Sequence, residues 1–488
     1  MKQKIRILFT IVLMASLLTF SAQASQAADY SGLTWTQAFD QMYQQLTREY
    51  AFTEWKQIDW NSLYSQYAPK ILAAQQVDDF TEYYIALREF LTEIPDGHVS
   101  VNNLPEIDNL YVGGGFGFSA SRLSNGSLIA AWVDGFGPAY ASGMRTGAVL
   151  TAWNGEPVAD ALAHVSTIYA GPSATTENLE LKQAQYLTRA PVGTEVEVAF
   201  VNSGDAAPKT VTLTAFDDGG SSLSKSYPSS VLSDKIRSMY LGLDDPNPVP
   251  NAMVETKTLE NNIMYIKIWG ELDADLQGTG TAPSTLSEFQ AAVQQAVDQK
   301  AAAMIVDIRN NLGGFDEMSA AILGSFYGER TLYEQLSMYD EKTGQFLRPE
   351  TESESGTLYI EPVQPCSYSG LVLCLINQKC VSSGEGIAMG IRNLPNGATI
   401  GFYGTSGSFG LAGAEIAMPG GLTVHYPYGQ SLDADGQIQI DSRNGIGGIS
   451  PSIRVEMTEE SATRVASGVD VELEAAINYI EAQTSDSL

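Results

Sequence analysis

Ala303-Met304-Ile305-Val306-Asp307-Ile308-Arg309-Asn310-Asn311-Leu312-Gly313-Gly314 is an apolar run that ends abruptly in charge, amides and two glycines. A short apolar run bounded by a turn signal is the pattern of a strand buried on both faces. The glycines then predict a tight turn into a helix. Such a turn also frees backbone N–H groups to point at an anion. Read alone, the stretch serves equally as an ordinary strand-to-helix connection.

Outward from this strand the same texture repeats. Ile263-Met264-Tyr265-Ile266-Lys267-Ile268 and Leu371 to Ile376 read as further strands, and Thr285-Leu286-Ser287-Glu288 as a capping box opening a helix to about Gln299. Strands alternating with helices predict an α/β core with a largely parallel sheet over residues 256–488, closed by an amphipathic helix from Val469 to Ile480. No internal repeat is present.

The preceding chain is organised differently. Residues 217–255 are rich in Asp, Gly, Ser and Pro and read as a linker, while residues 104–216 alternate short strands with glycine turns. Residues 28–103 are helical: Trp35, Phe39, Met42 and Leu46 form one apolar stripe, and Phe80, Tyr84, Leu87 and Leu91 another, before the turn Pro95-Asp96-Gly97. Residues 1–27 read as a signal peptide. Lys2, Lys4 and Arg6 precede the apolar run Ile7 to Phe20, followed by Ala22-Gln23-Ala24 or Ser25-Gln26-Ala27 as cleavage site. A secreted or periplasmic protein without a stable membrane anchor is expected.

The 488 residues carry 27 basic and 57 acidic side chains, a net charge of −30. A surface so acidic repels nucleic acid and acidic membranes, which excludes nucleic acid as a partner, and it keeps an exported protein soluble. Cys366, Cys374 and Cys380 permit at most one bridge, Cys366 with Cys380 being the pairing open to them. Their spacing suits no zinc site, and no metal or cofactor is assigned.

Two further segments bear on chemistry. In Asn377-Gln378-Lys379-Cys380-Val381-Ser382-Ser383-Gly384-Glu385 a serine stands where a strand gives way to a helix, beside the positive end of the helix dipole. Ser382-x-x-Glu385 is also a capping box, so on its own Ser382 reads first as a helix cap. In Asp96-Gly97-His98-Val99-Ser100 a histidine follows the helical segment. It is one of only three in the chain, and neither His164 nor His425 sits in a comparable turn.

In the β-rich part, Gly113-Gly114-Gly115-Phe116-Gly117-Phe118 is followed by Leu128 to Val133, Gly137-Pro138-Ala139-Tyr140-Ala141, Gly147-Ala148-Val149-Leu150 and Asn154-Gly155. This order resembles a bacterial-type PDZ domain. The resemblance implies that the loop Gly115, Phe116, Gly117 and Phe118 receives the terminal carboxylate of a peptide added to the sheet edge.

Together with Gly448-Ile449-Ser450-Pro451, the ordered segments resemble the carboxy-terminal-processing and tricorn-like serine peptidases. The resemblance spans the chain beyond residue 27. It implies a crotonase-like α/β catalytic core with an N-terminal helical bundle and an inserted PDZ domain, acting on protein or peptide substrates through their C-termini. It also implies Ser382 as nucleophile, with the Ser383 N–H and one from Gly313 or Gly314 as oxyanion hole. One branch of that family uses a lysine about twenty-five residues after the serine as base. Here that stretch is Gly404-Thr405-Ser406-Gly407-Ser408-Phe409-Gly410, and no lysine follows Lys379, so a lysine base would require Lys379 to fold back onto Ser382. The tricorn-like branch uses the early histidine, here His98, whose imidazole suits neutral pH. Its glutamate is replaced by Gly445, and Asp441, the nearest carboxylate, reads as the acid that orients the histidine or equally as a strand-end turn residue. The same architecture also occurs in ligand-binding relatives, so an inactive peptide- or lipid-binding scaffold is the alternative.

Overall fold

The computed structural model describes residues 27–226, 252–274, 283–348, 356–363 and 368–485. The segment read as a signal peptide, most of the linker and Cys366 lie outside them. No helix among the described residues is long and apolar enough to cross a membrane.

The predicted helical segment forms α1 (Trp35–Glu49), α2 (Trp60–Val77) and α3 (Phe80–Thr92). Thr34 and Gln37 make a capping box at α1, while Asp59 and Asp79 cap α2 and α3. Phe39, Met42, Leu46, Tyr84, Leu87 and Leu91 are buried, as their spacing predicts. The helices do not close this core alone. The antiparallel strands Ala414–Met418 and Leu422–Tyr426 contribute Ile416, Val424 and Tyr426 to it. Ser100–Val101 pairs with the second of them, so the turn carrying His98 is fastened to a distant part of the chain.

The β-rich part contains β1 (Phe118–Arg122), β2 (Leu128–Val133), β3 (Val149–Trp153), α4 (Thr176–Tyr186), β4 (Glu195–Val201), β5 (Lys209–Thr214) and the short helix α5 (Ser221–Ser226). Its strands run antiparallel in the order β5-β4-β3-β2-β1, which leaves β1 at an edge.

The α/β part follows with β6 (Val254–Leu259), β7 (Ile263–Ile268), α6 (Thr285–Asp298), β8 (Ala303–Asp307) and α7 (Asp316–Leu323). It continues with β9 (Leu371–Leu375), α8 (Ser383–Arg392), β10 (Gly397–Gly401), β11 (Ile453–Arg454) and α9 (Val471–Ser485). The sheet order is β6-β7-β8-β9-β10-β11, antiparallel only between β6 and β7. Every residue of β8 is buried. Met304 and Val306 face a core with Phe289, Ile322 and Ile387, while Ile305 faces another with Leu373, Ile400 and Ile480. Covering both faces is what a parallel sheet requires, and it explains why the run reads as continuously apolar.

One expectation is corrected. The cap of α6 is Ser284, which accepts from the Ser287 N–H; Thr285 is already helical, and its hydroxyl donates to the Leu272 carbonyl. The Cys366–Cys380 pairing that the sequence leaves open involves a residue outside the described ones; Cys380 itself is a free, buried thiol. Its side chain turns into the core beneath α8, close to Gly384.

Candidate active site

Ser382 lies between β9 and α8 with φ 60° and ψ −137°. A non-glycine residue rarely adopts positive φ, and such strain persists only where the surroundings impose it. Ser382 occupies the N-cap position, yet its side chain makes no capping hydrogen bond. Capping needs an extended backbone, and the positive φ turns the hydroxyl elsewhere. The capping-box reading is therefore corrected. Glu385 instead accepts from Thr405 Oγ1 at 2.5 Å and from the Gly407 and Ser408 N–H groups at 2.8 and 2.9 Å. Burial pushes its carboxyl up to about 7.

The double-glycine turn packs directly on this serine. Gly313 has φ +85°, and a Cβ there would stand 2.6 Å from Ser382 Cβ and 3.2 Å from its Oγ. The Gly313 N–H is already spent on Asn311 Oδ1 at 2.8 Å. Gly314 N–H has no acceptor among the described residues, so Gly314 is the glycine left to donate. The Ser383 N–H opens α8, where no helical carbonyl can reach it. Beneath these groups lies Glu271, fully buried, accepting from Asn311 Nδ2 at 2.6 Å and Ser383 Oγ at 2.9 Å. Burial pushes its carboxyl up to about 7. Glu271 escaped the sequence reading because nothing in Trp269-Gly270-Glu271 marks it; its position beyond β7 was the only signal.

The stretch Gly404 to Gly410, in which a lysine base would lie, does something else here. Ser408 accepts the Ser382 N–H on its carbonyl at 3.0 Å and the Gly97 N–H on its hydroxyl at 2.7 Å. One residue thus fastens the serine turn to the histidine turn. Gly97 has no room for a side chain, since a Cβ would meet Ser406 Oγ at 2.8 Å. His98 is almost wholly buried, and both ring nitrogens lack a hydrogen-bond partner. Catalytic hydrogen bonds often close only when substrate binds. Burial lowers the imidazole pKa, Asp96 raises it and Lys56 lowers it.

The acid beside the ring is Asp96, whose Oδ1 stands 3.8 Å from His98 Nδ1 and accepts the His98 backbone N–H at 2.9 Å. Asp441 makes no ion pair with His98. Its Oδ2 accepts the Phe409 N–H at 3.1 Å, and its carboxyl is raised well above the ordinary range by burial. Lys56, which the sequence reading also missed, lies between the two acids.

The expected peptide loop is placed less openly. Phe116 and Phe118 are buried, and a Cβ on Gly115 would collide with Asp218. Asp218 pairs with Arg189 at 2.7 Å, and α5 packs against β1 and α4. The chain's own segment thus packs against the edge strand β1.

Residues 262–455 match peptidase family S41, and residues 32–83 match the tricorn protease C1 domain. No curated protein matches the chain. Among solved structures, mature CPAF complexed with lactacystin is 14% identical, with 89% of this chain and 95% of that chain covered and a TM-score of 0.58. Mature CPAF gives 14%, 90%, 98% and 0.58 in the same terms. A putative peptidase from Parabacteroides merdae gives 17%, 92%, 96% and 0.49. The CPAF structures share the fold. With the S41 match lying across both the double-glycine turn and Ser382, the chain carries the peptidase family S41 domain over residues 262–455 and is a serine peptidase.

Proposed function

We propose that this protein is an exported serine endopeptidase that cleaves unfolded or C-terminally recognised proteins through an acyl-enzyme. Ser382 is its nucleophile and His98 its general base. The observation that carries the reading is Ser408, which holds the Ser382 turn by its carbonyl and the His98 turn by its hydroxyl. A strained, uncapped serine at a helix start supports the same assignment.

His98 takes the Ser382 hydroxyl proton as Oγ bonds to the peptide carbonyl carbon. The Ser383 and Gly314 N–H groups receive the oxyanion. When the C–N bond breaks, the proton passes from His98 to the leaving amine, and water then releases the acyl group by the reverse sequence. The catalytic part is of the crotonase-like type, and the β-rich part, of PDZ type, recruits substrate C-termini.

The test is labelling with a fluorophosphonate probe together with hydrolysis of casein. Wild type should label, and S382A and H98A should each lose roughly 10³-fold or more in hydrolysis. Near-full activity in either variant overturns the assignment. Absence of labelling in wild type favours the binding scaffold.

A further inference from the structure

Lys56 lies in the turn after α1, and its side chain is 1% exposed. Its ammonium donates to the Pro95 carbonyl at 2.9 Å and to Ser442 Oγ at 3.1 Å. It also stands 3.8 Å from Asp96 Oδ2 and 3.7 Å from Asp441 Oδ1. The Phe52 ring covers it, its centroid 5.4 Å away. Taking an ammonium out of water costs several kcal/mol unless buried partners offset it. The partners here come from three separate stretches: the N-terminal turn, the His98 turn and the loop after Ile440.

Asp96 and Asp441 are both buried, and two carboxylates this close repel unless a cation stands between them. Asp96 is further fixed by the Tyr50 hydroxyl at 2.8 Å on Oδ2, while its Oδ1 faces His98. Asp441 Oδ1 has no hydrogen bond, so the Lys56 charge is what faces it. Resting on the reading of His98 as base, we propose that Lys56 is a positioning residue of the peptidase site. Its ammonium clamps Asp96 and Asp441 together beneath the His98 turn, and this clamp holds the imidazole in place and in its neutral, proton-accepting form.

The charged and titratable groups around the ring are Asp96 on its own turn, Tyr50 and Lys56 from the N-terminal segment, Asp441 from the C-terminal loop and Glu385 behind Gly407 and Ser408. Burial disfavours the imidazolium, Asp96 favours it, and Lys56 disfavours it again. Removing the Lys56 charge therefore raises the proton affinity of His98. The acid limb of the rate profile, where the base becomes protonated, must move to higher pH.

The experiment compares wild type, K56M and K56R by initial rates on labelled casein well below saturation, across pH. K56R keeps the charge and should keep the limb. K56M should move the limb to higher pH, which lowers kcat/KM several-fold at pH values below it. A K56M variant that loses rate with its limb unmoved has only a structural defect and overturns the proposal, as does a K56R limb that moves with K56M. A second measurement does not depend on K56M folding. With three histidines in the chain, the His98 ring resonance is assigned by comparison with H98A. In wild type it should titrate below the ordinary value of about 6.5, and titration at or above that value overturns the proposal. Failure of the underlying reading shows differently, as absent fluorophosphonate labelling of wild type.

Discussion

Ser382 fills the space that a side chain at Gly313 would need: a Cβ built there falls 2.6 Å from Ser382 Cβ. The φ of +85° adds backbone strain for any other residue. G313A should fold with a loss of about 1–3 kcal/mol and should lower casein hydrolysis at least ~100-fold by displacing Ser382. Denaturant unfolding and fluorophosphonate labelling check this. A variant that labels at the wild-type rate would sink the idea that the glycine turn and the serine form one site.

Glu271 makes stability depend on pH in a definite direction. Its carboxyl is pushed up to about 7 from an ordinary 4.5 by complete burial. A carboxyl whose folded pKa is raised contributes stability that is fully present below the unfolded pKa and lost as pH rises through the folded one. E271Q can still accept from Asn311 and can donate to Ser383 Oγ, so the fold should survive. Relative to wild type, E271Q should gain stability between pH 4.5 and 7, by about 2–3 kcal/mol at the upper end. Urea unfolding at several pH values measures this, and parallel curves for the two proteins would contradict it.

Asp96, and not Asp441, stands beside the His98 ring. D96N should therefore lower kcat more than D441N, roughly 10²-fold against roughly tenfold, with KM little changed in both. In the proposed arrangement Asp441 reaches the ring through Lys56. Steady-state kinetics on casein decide the order, and the reverse order would return Asp441 to the place beside the histidine.

The Arg189–Asp218 pair holds the chain's own segment against the edge strand β1, with both side chains almost fully buried. R189M leaves a buried carboxylate without its cation, at a cost of about 3–5 kcal/mol. The segment Phe216 to Ser226 should loosen, and a fluorescent peptide with a free C-terminus should bind at least ~tenfold tighter than to wild type. Equal anisotropy titrations for the two proteins would show that β1 is not the peptide edge.

Much of the fold was legible because burial leaves a pattern in the chain. The stripe from Trp35 to Leu46 and the doubly buried run from Ala303 to Ile308 each state their own surroundings. The cap of α6 was misread by one residue because Ser284 and Thr285 are both capping residues. Only the contact of Thr285 with Leu272 decides between them.

The serine itself marks where sequence stops. Ser382-x-x-Glu385 satisfies the rule for a capping box, and only the backbone angle of Ser382 and the pull of Glu385 toward residues 405–408 break it. Sequence by itself determined the α/β class, the strand-to-helix turns and the absence of a lysine after Lys379, since all three are local properties of the chain. Tertiary structure alone decided that Ser408 joins the Ser382 and His98 turns, that Asp96 faces the imidazole, that Lys56 stands between Asp96 and Asp441, and that Glu271 accepts from Ser383. These are contacts between segments far apart in the chain. Buried charges must find partners wherever the fold brings them, and no local pattern records which ones they meet.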